Sequence, residues 1–311
     1  MNKSIKFIFI AKNDIEIFFT IGYNRLIIIS GAYKRMKIIY NELNVGAEKP
    51  FKILHMSDTH LTYGDERDGE RKVKLANGRA PIFPNCEEVL EAAQRLAEEN
   101  GAVIMHTGDL IDFVSIANLE RVERFLETND CFVAAGNHEY SLYVGEAWED
   151  AEYRNKSLPT VQKSFKNDIR MSSRIINGVN FVALDDGYYL FEKEQLDFLK
   201  AEVEKGMPIV LLIHNPLYEE VLYGILSPVP GGIGYLTGVP DEITALYKDP
   251  HRYKQQKPDG ITLQTCEYIK NQPLIKAILT GHLHCTYDGF LKPDVPQLIT
   301  NCSDIRVITV R

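Results

Sequence analysis

From residue 51 onward the sequence predicts an α/β fold. Two observations carry this. Short apolar runs alternate with segments whose apolar residues recur at helical spacing, in the order strand, helix, strand, helix, strand. Five of the apolar runs are also followed at once by histidine, aspartate or asparagine, at the strand ends where α/β architectures place their sites. The composition suits a soluble globular chain: 311 residues, 45% hydrophobic and 25% charged, enough for one large domain or two modest ones.

The N-terminal 50 residues read differently. Lys6–Ala11, Ile15–Ile21 and Arg25–Ile29 are expected as strands, with a fourth at Arg35–Tyr40, separated by turns at Asn13-Asp14, Gly22-Tyr23-Asn24 and Gly31-Ala32. No apolar run there approaches the roughly 20 residues of a spanning helix. No signal-peptide cleavage pattern follows one, so a membrane-associated hairpin is the disfavoured alternative. Asn44–Pro50 is a linker, giving an expected division into an extension at 1–50 and a domain at 51–311.

Within the domain, Phe51–Ser57 is a buried strand ending at Asp58-Thr59-His60. Tyr63–Pro84 is charged and rich in glycine and proline, and is expected as a long functional loop. Asn85 precedes a helix over Cys86–Glu99, stopped by Gly101. Ala102–Thr107 is a strand leading into Gly108-Asp109-Leu110-Ile111-Asp112. A helix follows at Ile116–Glu127, then a strand at Cys131–Ala135 leading into Gly136-Asn137-His138-Glu139. Ser173–Ile176 and Asn180–Leu184 form a hairpin across Asn177-Gly178. A helix is expected at Glu192–Glu204 and a strand at Pro208–Ile213, ending at His214-Asn215-Pro216. Residues 217–272 are an insertion containing a helix at Ile261–Lys270. Ile275–Leu279 is a buried strand that breaks at Gly281 and presents His282 and His284. Their spacing of two would leave both on one side of an extended strand. Strands at Thr286–Leu291, Gln297–Thr300 and Arg306–Val310 close the chain.

A net charge of -8 disfavours a broad basic face for duplex nucleic acid, though bound cations could serve phosphate substrates. Five cysteines without CxxC spacing argue against a disulfide framework or structural zinc, and for a cytoplasmic protein.

The strand ends together carry carboxylate, amide and imidazole groups, which suit manganese, iron or zinc, with nickel and magnesium also compatible. One ion needs three or four ligands, so the surplus argues for two ions sharing a carboxylate. The motifs Asp-x-His, Gly-Asp-x-x-Asp, Gly-Asn-His-Glu, a lone His after a strand, and Gly-His-x-His resemble the calcineurin-like metallophosphoesterase superfamily, in its order, over residues 51–311. The resemblance implies a four-layer α/β/β/α sandwich of two packed mixed sheets flanked by helices. It implies that Asp58, His60 and His284 hold one metal, that Asn137, His214 and His282 hold the other, and that Asp109 bridges them. His138 would be catalytic, facing the leaving group or the phosphate, with Asp112 orienting it. The reaction implied is hydrolysis of a phosphoester by a metal-bridging hydroxide.

Branches are separated by departures from the pattern. Asp112 stands where purple acid phosphatases have tyrosine. Phe113-Val114 and Tyr140-Ser141 stand where phosphoprotein phosphatases place arginines. The remaining pattern is closest in style to bacterial small phosphodiesterases of the cyclic-nucleotide type, so a small phosphodiester is the expected substrate. A phosphomonoesterase acting on a small metabolite or phosphoprotein, and a non-catalytic scaffold of the same fold, are the alternatives. Arg67, Arg71 and Arg79 in the first long loop, and Tyr218 and Tyr235 in the insertion, are expected substrate contacts.

Overall fold

The computed structural model of the chain describes residues 26–28, 36–145 and 151–311. The strands expected at Lys6–Ala11 and Ile15–Ile21 lie outside the described residues.

One six-stranded sheet has the order β1-β2-β12-β3-β4-β5: Leu26–Ile28, Lys37–Leu43, Asp304–Val310, Phe51–Met56, Val103–His106 and Cys131–Val133. The second has the order β10-β11-β9-β8-β7-β6: Tyr287–Lys292, Val295–Ile299, Ile275–Thr280, Ile209–Leu212, Val179–Leu184 and Met171–Ile176. Both are mixed. β3, β4 and β5 run parallel, as do β7, β8 and β9, so the ends that matter point the same way within each sheet.

The strands read as nearly continuous apolar runs because both of their faces are covered. On β3, Ile53 packs between the sheets while Leu54 packs outward. On β8, Val210 and Leu212 face the partner sheet, and Ile209 and Leu211 face away from it. The outer face of the first sheet is covered by α2 (Cys86–Asn100) and α3 (Ile116–Thr128), through Val89, Ala93 and Val122. The outer face of the second is covered by α5 (Lys193–Glu204) and α9 (Gly260–Asn271), through Leu199 and Ile269. The result is the four-layer α/β/β/α sandwich.

Two expectations are corrected, for residues 63–84 and for the insertion, and the linker gains a detail. Residues 63–84 are not one loop, since they contain α1 at Glu70–Arg79. Only Ala76 of α1 is buried, so the helix has no apolar stripe to betray it. Polar contacts hold it instead: Lys72 to the Val114 carbonyl and Arg79 to Asp112. The expected linker at 44–50 has no regular structure, and Val45 within it packs into the core between the sheets, while β2 before it pairs with β12 over its whole length. The insertion carries three further helices, α6 (Glu220–Leu226), α7 (Asp241–Thr244) and α8 (Pro250–Gln256), after α4 (Ala151–Val161) earlier in the chain. All five cysteines are unpaired. Among the described residues no helix is long and apolar enough to cross a membrane.

Candidate metal centre

Six strand ends converge: those of β3, β4 and β5 from one sheet and β7, β8 and β9 from the other. The turns there are unusually bent. Asp58, His60, Asp109, His282 and His284 all have φ between 47° and 66°, and so do Tyr189 and Tyr235 (62° and 53°). Residues other than glycine rarely adopt that region, and such strain clusters at functional sites. Elsewhere among the described residues only Asn177 and Asp294, both in hairpin turns, share it. His282 and His284 are therefore not held by strand alternation, since β9 ends at Thr280. Two left-handed kinks send the two rings to different partners.

Close approach explains the glycines. A Cβ on Gly281 would collide with Ser57 Oγ and Asp58 Oδ2, and one on Gly136 with Asp109 Oδ1 and the Asp109 nitrogen. Only glycine lets these backbones pass against the carboxylates.

Two donor clusters result. In the first, His60 Nε2 lies 3.0 Å from His284 Nε2, and His284 Nε2 lies 3.3 Å from Asp58 Oδ1. In the second, His282 Nδ1 lies 3.2 Å from His214 Nε2, which lies 3.2 Å from Asp109 Oδ2. Asp109 Oδ2 is also 3.7 Å from His60 Nε2, so it stands between the clusters. Nitrogens ~2.1 Å from one ion and ~90° apart would lie ~3.0 Å from one another, so both histidine pairs fit two neighbouring ligands of a single ion. Two further facts support that fit. His214 Nδ1 donates to the Thr107 carbonyl at 2.7 Å, and His60 Nδ1 donates to Asp112 Oδ1 at 3.0 Å. Each ring is thereby turned so that its other nitrogen faces inward, the orientation a metal ligand needs once its proton is displaced.

The electrostatics agree. Burial opposes ionisation of Asp109, but the charges of His214 and His138 outweigh it and hold the carboxyl well below its usual range. Burial likewise opposes protonation of His214 and His60. Asp109 raises the first to about 10, and Asp112 and Asp58 raise the second to about 9.

His138 and Asn137 sit on the turn after β5. The His138 amide donates to Asp109 Oδ1 at 2.8 Å, and its Nδ1 donates to the Asp112 carbonyl at 2.6 Å. One of its ring nitrogens also lies within 4.8 Å of the His60 and Asp109 donors. Asp112 meets His138 through both its backbone and its carboxylate. Its backbone oxygen takes the shorter bond from His138, its carboxylate Oδ1 lies 3.3 Å from the same nitrogen, and that carboxylate also holds His60 and the Arg79 guanidinium, at 2.6 and 2.8 Å for the two Arg79 bonds. Asn137 is buried, with its peptide against Gly187.

The expected substrate contacts scatter. Arg67 is tied to Asp65 and Glu120 at the surface, and Arg71 lies over the Tyr143 ring, so neither reaches the clusters. Arg79 does reach, but it is spent on Asp112. Tyr218 packs on Tyr223 and Lys270. Tyr235 does lie over the site, 6.3 Å from the His282 ring, with Arg252 above its own face.

Four residues to which the sequence reading assigns no role help build the site, Glu139 among them although its motif is recognised. Phe83 stacks on His60 at 4.0 Å. Glu139 is buried and accepts the amides of Asp109, Leu110, Ile111 and Gly136. Asp186 accepts the His214 and Asn215 amides. Tyr189 Oη lies 2.6 Å from His282 Nε2. The last two had a visible signal: Asp185-Asp186-Gly187 follows an apolar strand just as the other motifs do.

No curated protein matches this sequence. Solved structures with a similar fold include a dimetal phosphatase from Danio rerio (13% identity, TM-score 0.45, covering 81% of this chain and 88% of that one). A phosphopantetheinyl hydrolase from Mycobacterium tuberculosis is 11% identical, with a TM-score of 0.40 and coverage of 80% and 89%. A 5'-nucleotidase from Candida albicans is 13% identical, with a TM-score of 0.41; it covers 84% of this chain, which spans only 47% of the nucleotidase. The calcineurin-like phosphoesterase family matches residues 51–286, well over half of the chain, so this protein belongs to that family of metal-dependent phosphoric ester hydrolases.

Proposed function

We propose that the chain hydrolyses a small phosphodiester with two divalent ions, one held by Asp58, His60 and His284, the other by Asn137, His214 and His282, with Asp109 shared. The carrying observation is the pair of facing imidazole nitrogens at 3.0 and 3.2 Å with Asp109 between them. Two ions there would supply Lewis-acid stabilisation of phosphoryl charge and lower the pKa of water. The remaining chemistry belongs to the chain. The Asp112 carbonyl fixes the His138 ring so that Nε2 is the atom that meets the leaving group and exchanges a proton with it. Glu139 anchors the Asp109 backbone, and Phe83 narrows the approach to His60.

Support for a diester comes from the rim. A dianionic monoester is best gripped by a bidentate arginine. Arg79, the arginine bonded within the site, is committed to Asp112, Arg252 lies against the Tyr235 ring, and Phe83 and Tyr235 give the approach an aromatic lining. A cyclic nucleotide is one such diester, with a base that Tyr235 could stack upon. The unpaired cysteines support a reducing, cytoplasmic setting.

The test is turnover of bis(p-nitrophenyl) phosphate against p-nitrophenyl phosphate, with manganese, iron, zinc, nickel and magnesium varied. Metal-dependent preference for the diester is expected. Preference for the monoester would move the assignment to a phosphatase. No turnover with any metal would overturn the hydrolytic reading of the site.

A further inference from the structure

We propose that Tyr189 is a positioning residue for the second ligand cluster: its phenol oxygen accepts the His282 Nε2 proton and so aims the His282 Nδ1 lone pair at the space shared with His214 and Asp109. The inference rests on reading that cluster as a metal site.

The argument starts from the other rings. His214 and His60 each turn one nitrogen outward, onto the Thr107 carbonyl and the Asp112 carboxylate. Those oxygens only accept, so both rings carry a hydrogen outward and turn their other nitrogen toward the cluster. The outward nitrogen of His282 meets a hydroxyl instead, which can donate or accept. If Tyr189 donated, His282 Nδ1 would carry the hydrogen and point it at His214 Nε2, 3.2 Å away. A ligating nitrogen carries none, so Tyr189 is the acceptor.

The fold goes to some length to put this oxygen there. Tyr189 is 1% exposed, packs edge-on to His282 at 5.4 Å, and has φ 62°, which a bulky side chain rarely adopts. Its amide donates to the Asp186 carbonyl at 2.7 Å. The Asp186 carboxylate takes the His214 amide at 2.9 Å and the Thr237 hydroxyl at 2.8 Å. One turn after β7 thus holds both histidines of the cluster, His214 by its backbone and His282 by its ring. It also anchors the insertion two residues from Tyr235.

Tyr189→Phe keeps the ring and removes the oxygen, and Tyr189→Leu removes both. In metal-free protein labelled with 15N-histidine, wild-type His282 should show the Nε2–H tautomer, its signals assigned by their loss in His282→Ala. Tyr189→Phe should shift it toward a mixture. Titration with zinc should show the second equivalent weakened about 10–100-fold in Tyr189→Phe, the range for lost outer partners of ligands, with the first unchanged. An unchanged tautomer in Tyr189→Phe overturns the proposal. So does wild-type affinity in Tyr189→Phe with loss only in Tyr189→Leu, which would make the residue a packing group. A wild-type protein that takes up no second ion would count against the metal reading, while the tautomer measurement would still decide the part of Tyr189.

Discussion

Replacing Arg79 by methionine should weaken the fold rather than substrate binding. Arg79 was expected to meet substrate, yet both of its bonds, at 2.6 and 2.8 Å, go to the fully buried Asp112 carboxylate. Bonds to a charged group contribute ~1.5–3 kcal/mol each, so losing both removes about 3–6 kcal/mol before relaxation. Two features reduce this. His60 Nδ1 still donates to Asp112, and Arg79 is 22% exposed, so water can reach its place. A net loss of about 2–3 kcal/mol is the expected outcome, measured by urea denaturation of metal-free protein at pH 7. Its pH dependence has a definite sign. Burial alone would raise the Asp112 pKa, but Arg79 first and His60 second hold it well below 3.8. A depressed carboxyl contributes stability above its unfolded pKa and loses it as pH falls through the folded one. The difference between wild type and Arg79→Met should therefore be full at neutral pH and shrink below about pH 4. KM for a small ester should stay within about twofold. Stability within about 0.5 kcal/mol of wild type, the usual bound for an inert surface change, together with a severalfold rise in KM, would refute the reasoning and return Arg79 to the substrate.

Asp109→Asn should cost at least one ion and nearly all turnover, checked by elemental analysis and assay, because its carboxylate faces both clusters. His138→Ala should keep both ions and lose about 10²–10⁴ in kcat, less with good leaving groups; loss of an ion would make His138 a ligand instead. Metal uptake should release protons. Despite burial, Asp109 raises His214 to about 10, and Asp112 and Asp58 raise His60 to about 9. Calorimetric affinity should thus rise about tenfold per pH unit per ion between pH 6.5 and 8.5. In metal-free protein the same two groups contribute stability that is full below pH 6.5 and lost as pH rises through 9–10. Removing residues 1–47 strips β2 from β12 and uncovers a seven-residue edge, so the truncated chain should aggregate, while any soluble fraction still binds metal.

Much of this fold was legible because its strands are buried on both faces and its helices are amphipathic. Apolar runs such as Ile209–Leu212 and stripes such as Val89, Ala93 and Leu96 leave little choice of element. The failures are physical in origin. α1 has a single buried residue and a glycine near its end, and polar contacts to Val114 and Asp112 hold it in place. Those partners lie more than 30 residues away, beyond the reach of local pattern. The segment 44–50 reads as a linker and has no regular structure, yet it is tied down. The amides of Val45 and Gly46 donate to the Arg311 carbonyl at 2.7 and 2.8 Å, a partner more than 260 residues away that no local pattern reveals.

The site was legible as a set of residue types and not as a geometry. Histidines and aspartates after apolar strands announce ligand chemistry wherever they fall. How His282 and His284 reach separate clusters depends on backbone angles of 66° and 47°, which no spacing rule encodes. The left-handed turns persist because the neighbouring strand ends leave no other path: Gly281 is pressed onto Ser57 and Asp58, and Gly136 onto Asp109. A site assembled in this way needs acceptors for the amides that its kinks strip from regular pairing. Glu139 serves Asp109, Leu110, Ile111 and Gly136, and Asp186 serves His214 and Asn215. The buried acids to which the sequence reading assigns no role are therefore what the strained ligand turns require, and a chain that bends its ligands this sharply should be searched for them first.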